Sequence, residues 1–419
     1  MIASIVLSVA LALASLNPGF GFAGGGGSSS GGGGGGGGFS GGSSYSSSSS
    51  SSGDGEVDPF FLLFVTVICI IIIFASSKKG KTNKQIEAGI TKNYNDQEKW
   101  IHTEAKRIFL QYQQDWTDFN TASIATYTTA NYNEHANLML ELLKNLHRVN
   151  QVSNVHIAYA RLKNSVKQDT VLPVMVNIEF HFSGTDAVID TTTKKVLYKS
   201  YVPEASETWN FIYDGETLKL DGISQPTESA PHLIRSLADF ASQNSLFYSP
   251  DWGRYALPAR GLIFGGASMS IADINNHVIG KWGDLLIQLY SYAEAPNQGL
   301  DSYYIVGQIN VPKDYLGVIV KSRKFKTARK PDKSYEKFEL EWNDFNKRYD
   351  VYASSRDALP AFELLNPKFM EFLYNTNPSY NIEVVDNVIY IFANARRVSE
   401  KDYAEMLTVL QKAYEELKR

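Results

Sequence analysis

Cysteine is almost missing from this 419-residue chain, with Cys69 the only one. No disulfide can form within the chain, and no cysteine-based zinc site can be assembled. An excess of one charge is missing too. Lys and Arg total 40 against 44 Asp and Glu, a net charge of −4, which argues against general attraction to nucleic acid. Catalytic signatures are equally scarce. Outside the Gly/Ser tract no GxSxG occurs, no Cys–His or paired-carboxylate constellation stands out, and His102, His135, His147, His232 and His277 show no HExxH or other close metal spacing. His156 and His181 fall in the polar phase of their strands, which predicts surface positions. Eight consecutive glycines at 31–38 do not make a phosphate loop, because no strand precedes them and no Gly-Lys-Ser/Thr closes them. "GKT" at 80–82 follows an apolar run and has Ala75 where the loop needs its first glycine. The expectation is a non-enzyme with no cofactor, no metal and no nucleic-acid partner.

What the chain does have is concentrated apolar sequence at its start. Residues 1–16 form an apolar stretch of signal-peptide length, and Gly21 and Ala23 supply the small residues of a cleavage site. The reading is a signal peptide over 1–23, either cleaved or retained as an anchor. Residues 24–58 are dominated by Gly and Ser and cannot bury enough apolar surface to offset their ordering entropy. They read as a disordered linker. A second apolar run, Phe60 to Ala75, carries no charge and is interrupted only by Thr66. As a helix it spans about 24 Å, close to the lower limit for a bilayer core. The expectation is one transmembrane helix over 59–77.

Its flanks give direction. Asp54, Glu56 and Asp58 precede the run, while Lys78, Lys79, Lys81 and Lys84 follow it in a basic tether over 78–95. Lysines on the cytoplasmic side place the Gly/Ser tract outside and the C-terminal bulk inside an inner membrane. Cleavage or retention of the signal leads to the same placement.

The soluble part reads as α+β in two units, 96–225 and 232–419, divided by the polar, proline-containing "SQPTESAP" at 224–231. In the first unit, Ile101, Ala105, Ile108, Tyr112, Trp116 and Phe119 recur at helical spacing. A second helix covers roughly 133–149. "VMVNIEFHF" (174–182) alternates as a strand, and "ETWNFIYDGETLKLDGI" (207–223) reads as a hairpin turning at Asp214-Gly215. About four antiparallel strands under the helices are expected.

"AKRIFLQYQQDWTDFN", "VMVNIEFHF" and "WNFIYDGETLKLDGI" resemble the C-terminal domain of translocase-of-inner-membrane subunit 44, the Tim-44-like family. The resemblance covers about 130 residues and implies a cone-shaped, NTF2/cystatin-like domain at a membrane surface, with an apolar pocket. In the mitochondrial family member that domain helps dock the import motor and contacts anionic lipid. The long chaperone-binding N-terminal region of that member has no equivalent here.

In the second unit, strands are expected at 285–293, 302–311 and 316–322. A helix follows at about 361–375, then two strands joined at Asp386-Asn387 and a terminal helix capped by Ser399. "GKWGDLLIQLYSY", "FNKRYDVYASS", "ALPAFELLNPKFMEFL" and "VVDNVIYIFA" resemble an uncharacterised C-terminal domain family of bacterial membrane proteins, which implies no activity.

Two sets of candidate site residues follow. Tyr112, Trp116, Leu142, Ile178, Phe180, Trp209 and Phe211 face the helix–sheet interface, where they either pack as core or line an apolar pocket for an acyl chain or peptide. Lys78, Lys79, Lys81 and Lys84 with Lys321, Arg323, Lys324, Lys326, Arg329 and Lys330 are candidates for contact with anionic headgroups. The function these readings support is a membrane tether or scaffold binding lipid or an unknown protein partner, with a link to membrane protein transport or assembly as one expectation. A cryptic enzyme with its site in the cone-shaped cavity is the alternative.

Overall fold

The structure is a computed structural model that describes residues 83–167, 169–224, 234–249, 274–293, 303–324, 331, 333–376, 379–395 and 398–418. The signal, linker and span readings fall outside these residues, as do Lys78, Lys79, Lys81, Lys326, Arg329 and Lys330. No helix among the described residues is long and apolar enough to cross a membrane.

The fold is α+β, with two antiparallel sheets. Helix α1 covers 83–91 and α2 runs Asp96–Thr117. Asn95 starts α2 with a capping box. Its side chain accepts from Glu98 N at 2.8 Å, while Glu98 Oε2 accepts from Asn95 N at 3.0 Å. The expected stripe from Ile101 to Trp116 is buried, joined by Phe109. Phe119 lies past the helix end, in left-handed backbone at φ 56. A short helix that the apolar pattern does not show, α3 (Thr121–Tyr127), is held by buried Asp115. Its Oδ2 accepts from Ser123 Oγ at 2.6 Å and from Tyr127 Oη at 2.8 Å. Helix α4 (Ala130–Asn145) is capped by Thr129 and ends earlier than expected.

The first sheet has the order β1 (Arg148–Leu162), β2 (Val174–Asp190), β3 (Val196–Tyr213), β4 (Leu218–Ser224), all antiparallel. The β3–β4 hairpin turns where expected. Gly215 takes φ 106, and Asp214 Oδ1 accepts from Thr217 N at 2.7 Å and Glu216 N at 2.9 Å. Those bonds to its charged form hold the Asp214 carboxyl down at about 2.

After α5 (Arg235–Gln243), the second sheet contains β5 (Phe247–Ser249), β6 (Ile274–Trp282), β7 (Leu285–Ala293) and β8 (Tyr303–Ser322). It continues with β9 (Tyr335–Phe338), β10 (Tyr349–Ser354) and β11 (Asn381–Ala395). Helices α6 (Asn343–Arg348), α7 (Ala358–Leu364), α8 (Pro367–Asn375) and α9 (Glu400–Leu417) complete the unit.

Three expectations are corrected here. The two strands expected at 302–311 and 316–322 are one continuous β8, which pairs β7 with its first half and β10 with its second. Pro312, which cannot donate to a ladder, sits where the β8–β11 register is broken between Asn310 and Tyr315. The two strands joined at Asp386-Asn387 are likewise one strand, β11. Asp386, at φ 53, forms a bulge there instead of a turn. The single helix at 361–375 is two, because Asn366 caps a new start with Pro367 in its first turn.

The second sheet is buried on both faces. Ile305, Ile309, Ile389 and Ile391 pack with Met406 and Leu410 of α9. Gly307 permits this close approach, since an added Cβ would lie 2.7 Å from both Met406 Cγ and Leu410 Cδ1. Alternate residues Ile279, Tyr290, Val306, Tyr390 and Phe392 join the core of the first unit. The joint is marked by the ring of His135 on Phe247, centroids 4.9 Å apart, and by Lys281 Nζ 3.0 Å from Glu141 Oε2. The two units therefore share apolar core across the boundary at 224–231.

Candidate ligand surfaces

The seven residues expected at the helix–sheet interface all lie there, and each is 0% exposed. They fill the space with one another. Phe109 stacks on Phe180 at 4.5 Å between centroids and meets Trp209 at 4.7 Å, while Tyr112 meets Trp209 edge-on at 5.6 Å. Polar atoms within this core are tied to the sheet. Trp116 Nε1 donates to Asn150 Oδ1 at 2.9 Å, and Asn150 Nδ2 donates to Asp186 Oδ1 at 2.5 Å. Trp209 Nε1 donates to Glu207 Oε2 at 2.9 Å.

Open space occurs outside that core. A groove of about 540 Å³ separates α1 from the first half of α2. Lys84, Glu87 and Thr91 lie on its α1 side, and Lys99, His102 and Lys106 on its α2 side. These residues recur at helical spacing on each helix, so the facing sides of this helix pair are polar. Glu87 Oε1 lies 2.5 Å from Lys106 Nζ and 3.7 Å from His102 Nε2. Burial and the neighbouring Lys106 ammonium push the His102 imidazole below its ordinary value, so at neutral pH its Nε2–H donates to Ala160 O at 3.2 Å. Lys106 is paired with Glu87 and Lys99 Nζ lies 3.1 Å from Asp96 Oδ1, so three lysines against two carboxylates leave the groove with a small cationic excess, centred on Lys84. Of the juxtamembrane lysines, Lys84 is the one within the described residues, and it stands on this rim.

The second basic set is less exposed in charge than its sequence implies. Arg323 Nη2 lies 2.9 Å from Asp350 Oδ1, and Lys337 Nζ reaches the same oxygen at 2.9 Å. Asp350 arrives from β10, far away in sequence, which is why the local charge pattern did not show it. Lys324 is exposed beside this cluster.

From β8 onward the unit is a sheet closed by α9, with Ser399 capping that helix through Asp402 N as expected. Residues 303–418 match a family described as a protein of unknown function (DUF3137). The match runs from β8 to α9 and does not extend into the first unit. It agrees with the resemblance of the second half to an uncharacterised domain and assigns no activity. No curated protein matches the chain. Among solved structures, the chain is similar to the mycobacterial trehalose monomycolate transport factor A, TtfA, at 12% identity and a TM-score of 0.33, over 44% of this chain and 93% of that one. So slight a similarity carries neither fold nor function across.

Sequence reasoning missed Lys99, His102, Thr103 and Lys106 as neighbours of Lys84. The signal was present as i, i+3, i+4, i+7 spacing on both helices, but α1 was read as part of a tether. His156 and His181 do lie on the outward face of the first sheet, where they line a cleft. Among the described residues, no group of three or more His, Cys, Asp or Glu side chains is placed to hold a metal.

Proposed function

We propose that the protein is a non-enzymatic, single-pass membrane tether whose C-terminal units lie in the cytoplasm and whose first α+β unit engages anionic headgroups or a protein partner at the inner membrane. The observation that carries this reading is the cationic groove between α1 and α2. It begins at Lys84, directly after the Lys78, Lys79 and Lys81 cluster that follows the apolar run. Each basic residue near an anionic surface contributes about 1 kcal/mol. The groove adds Lys99 and Lys106 to that cluster, paired with Asp96 and Glu87, beside the threonine hydroxyls of Thr91 and Thr103. Close filling of the helix–sheet space by its own aromatic rings favours a scaffold over an enzyme working in that space. Whether an acyl chain or peptide can displace those rings is part of the same proposal.

Reporter fusions after residue 95 test the topology. A cytoplasmic readout is expected, and an external one overturns it. Salt-sensitive attachment of residues 78–419 to anionic vesicles tests the surface role.

A further inference from the structure

The outward face of the first sheet carries a cleft of about 280 Å³ on the side away from α2 and α4. Its cause lies in three breaks in strand register. The β1–β2 ladder shifts between Ser153 and His156 and again between Ile157 and Tyr159, and β2–β3 shifts between Phe182 and Gly184. Such bulges bend their strands and sharpen local twist. Clustered on neighbouring strands, they hollow a face that would otherwise be a smooth polar surface.

The lining is aromatic and acidic. Tyr159 and His181 stack at 4.2 Å between centroids, Tyr201 stands 64% exposed, and His156, Ser183 and Glu204 complete the wall. Glu204 pairs with no cation among the described residues. Among the described residues no Lys or Arg lines the cleft, though Arg161 Cζ stands 6.0 Å from the Tyr159 ring centroid. Burial first, and then the negative charges of Glu179 and Glu204, raise the Tyr159 phenol above its ordinary value despite nearby Arg161. Because Tyr159 already meets His181 and Arg161, the exposed ring is that of Tyr201; with the Ser183 hydroxyl and the Glu204 carboxylate around a small volume it suits a cation that donates hydrogen bonds. A quaternary ammonium satisfies the ring faces but leaves the oxygen acceptors unused.

We propose that this cleft binds a primary ammonium group, and that in the anchored protein the group belongs to the headgroup of an aminophospholipid. The lipid source is favoured by position. Asn83 lines the cleft and follows the end of the apolar run at Ala75 by eight residues, a reach of at most about 28 Å. This assignment rests on the membrane-anchored reading but uses different residues from the cationic groove.

The test uses the full-length protein in lipid nanodiscs with a fixed fraction of phosphatidylglycerol, the remainder being phosphatidylcholine or phosphatidylethanolamine. Hydrogen exchange is followed in 155–160, 180–184 and 200–205. Phosphatidylethanolamine slows exchange in these strands, and soluble glycerophosphoethanolamine slows it likewise in discs that lack phosphatidylethanolamine. Glu204→Gln weakens the response about tenfold, and Tyr201→Ala also weakens it; both side chains are exposed, so folding is retained. Equal exchange with the two lipids, or an unchanged response in Glu204→Gln, overturns the proposal. A response to soluble amine without one to the lipid overturns the lipid assignment. If the chain does not enter the discs, the anchoring reading fails separately; absence of glycerophosphoethanolamine binding in solution then overturns the cleft itself.

Discussion

His277 Nε2 lies 3.0 Å from Gln288 Oε1 inside the joint between the two units, where both side chains are buried. Gln288 stands opposite Gln308 in the β7–β8 register, and Gln308 Oε1 accepts from Tyr290 Oη at 3.0 Å. The joint is thus apolar in outline with a polar row through it. His277 is held neutral there, with burial pushing its imidazole down to about 4. Burial and neighbouring His277 push His135 down to about 3.

Acid should therefore loosen the joint. Both histidines have folded-state values below the ordinary 6.5, so the unfolded chain binds more protons as pH falls below that value. Stability is full above about pH 6.5 and declines toward pH 4, by up to about 1.4 kcal/mol per pH unit for each histidine. Thermal melts across this range show the decline. His277→Gln flattens it, and an unchanged slope contradicts the burial of a neutral imidazole.

Asn150 links α2 to the sheet through Trp116 and Asp186. Asn150→Ala leaves a buried indole N–H without its acceptor and a carboxylate without this donor, at a cost of about 1–3 kcal/mol. Asn150→Asp costs more, because it sets a second carboxylate against Asp186. Urea denaturation measures both, with the midpoint expected to fall and the slope to hold.

Asp357 performs a similar task in the second unit. Its Oδ2 accepts from Leu316 N at 2.5 Å and Gly317 N at 2.7 Å, holding the bend in β8. Asp357→Ala should cost at least ~2 kcal/mol through two backbone donors left without an acceptor. Faster amide exchange at 316 and 317 is the local readout.

Gly307 lies under α9. Gly307→Val forces Met406 and Leu410 aside, with a cost of about 1–3 kcal/mol from overpacking. Denaturation of this variant, with exchange measured along 400–417, shows whether the helix loosens.

The parts of the fold that were legible in the sequence were those with a strong local period. The α2 stripe, the β2 alternation, the Asp214-Gly215 hairpin and the Ser399 cap are each set by residues a few positions apart. Joins made at long range were not legible. The "VPKDY" segment has the composition of a turn, yet pairing with β11 on either side keeps β8 continuous. Asp386-Asn387 has a hairpin's residues but adopts a bulge, because β8 supplies the partner strand. The seven interface residues are buried, as their phase implies, whereas the groove and the cleft needed a second helix and coincident bulges. The cleft carries no periodic signature, and the groove's helical spacing does not by itself show which helix faces which.

Vesicle attachment measured across ionic strength tests the membrane-surface reading most directly. Residues 78–419 are sedimented with phosphatidylcholine vesicles with and without phosphatidylglycerol, beside a variant carrying Lys84→Gln, Lys99→Gln and Lys106→Gln. The account predicts attachment only to the anionic vesicles, weakening as salt rises and weaker in the variant by at least about 1 kcal/mol, the contribution of Lys84, with Lys99 and Lys106 adding less because Asp96 and Glu87 pair with them. Absence of attachment at low salt, or equal attachment by the variant, would contradict it.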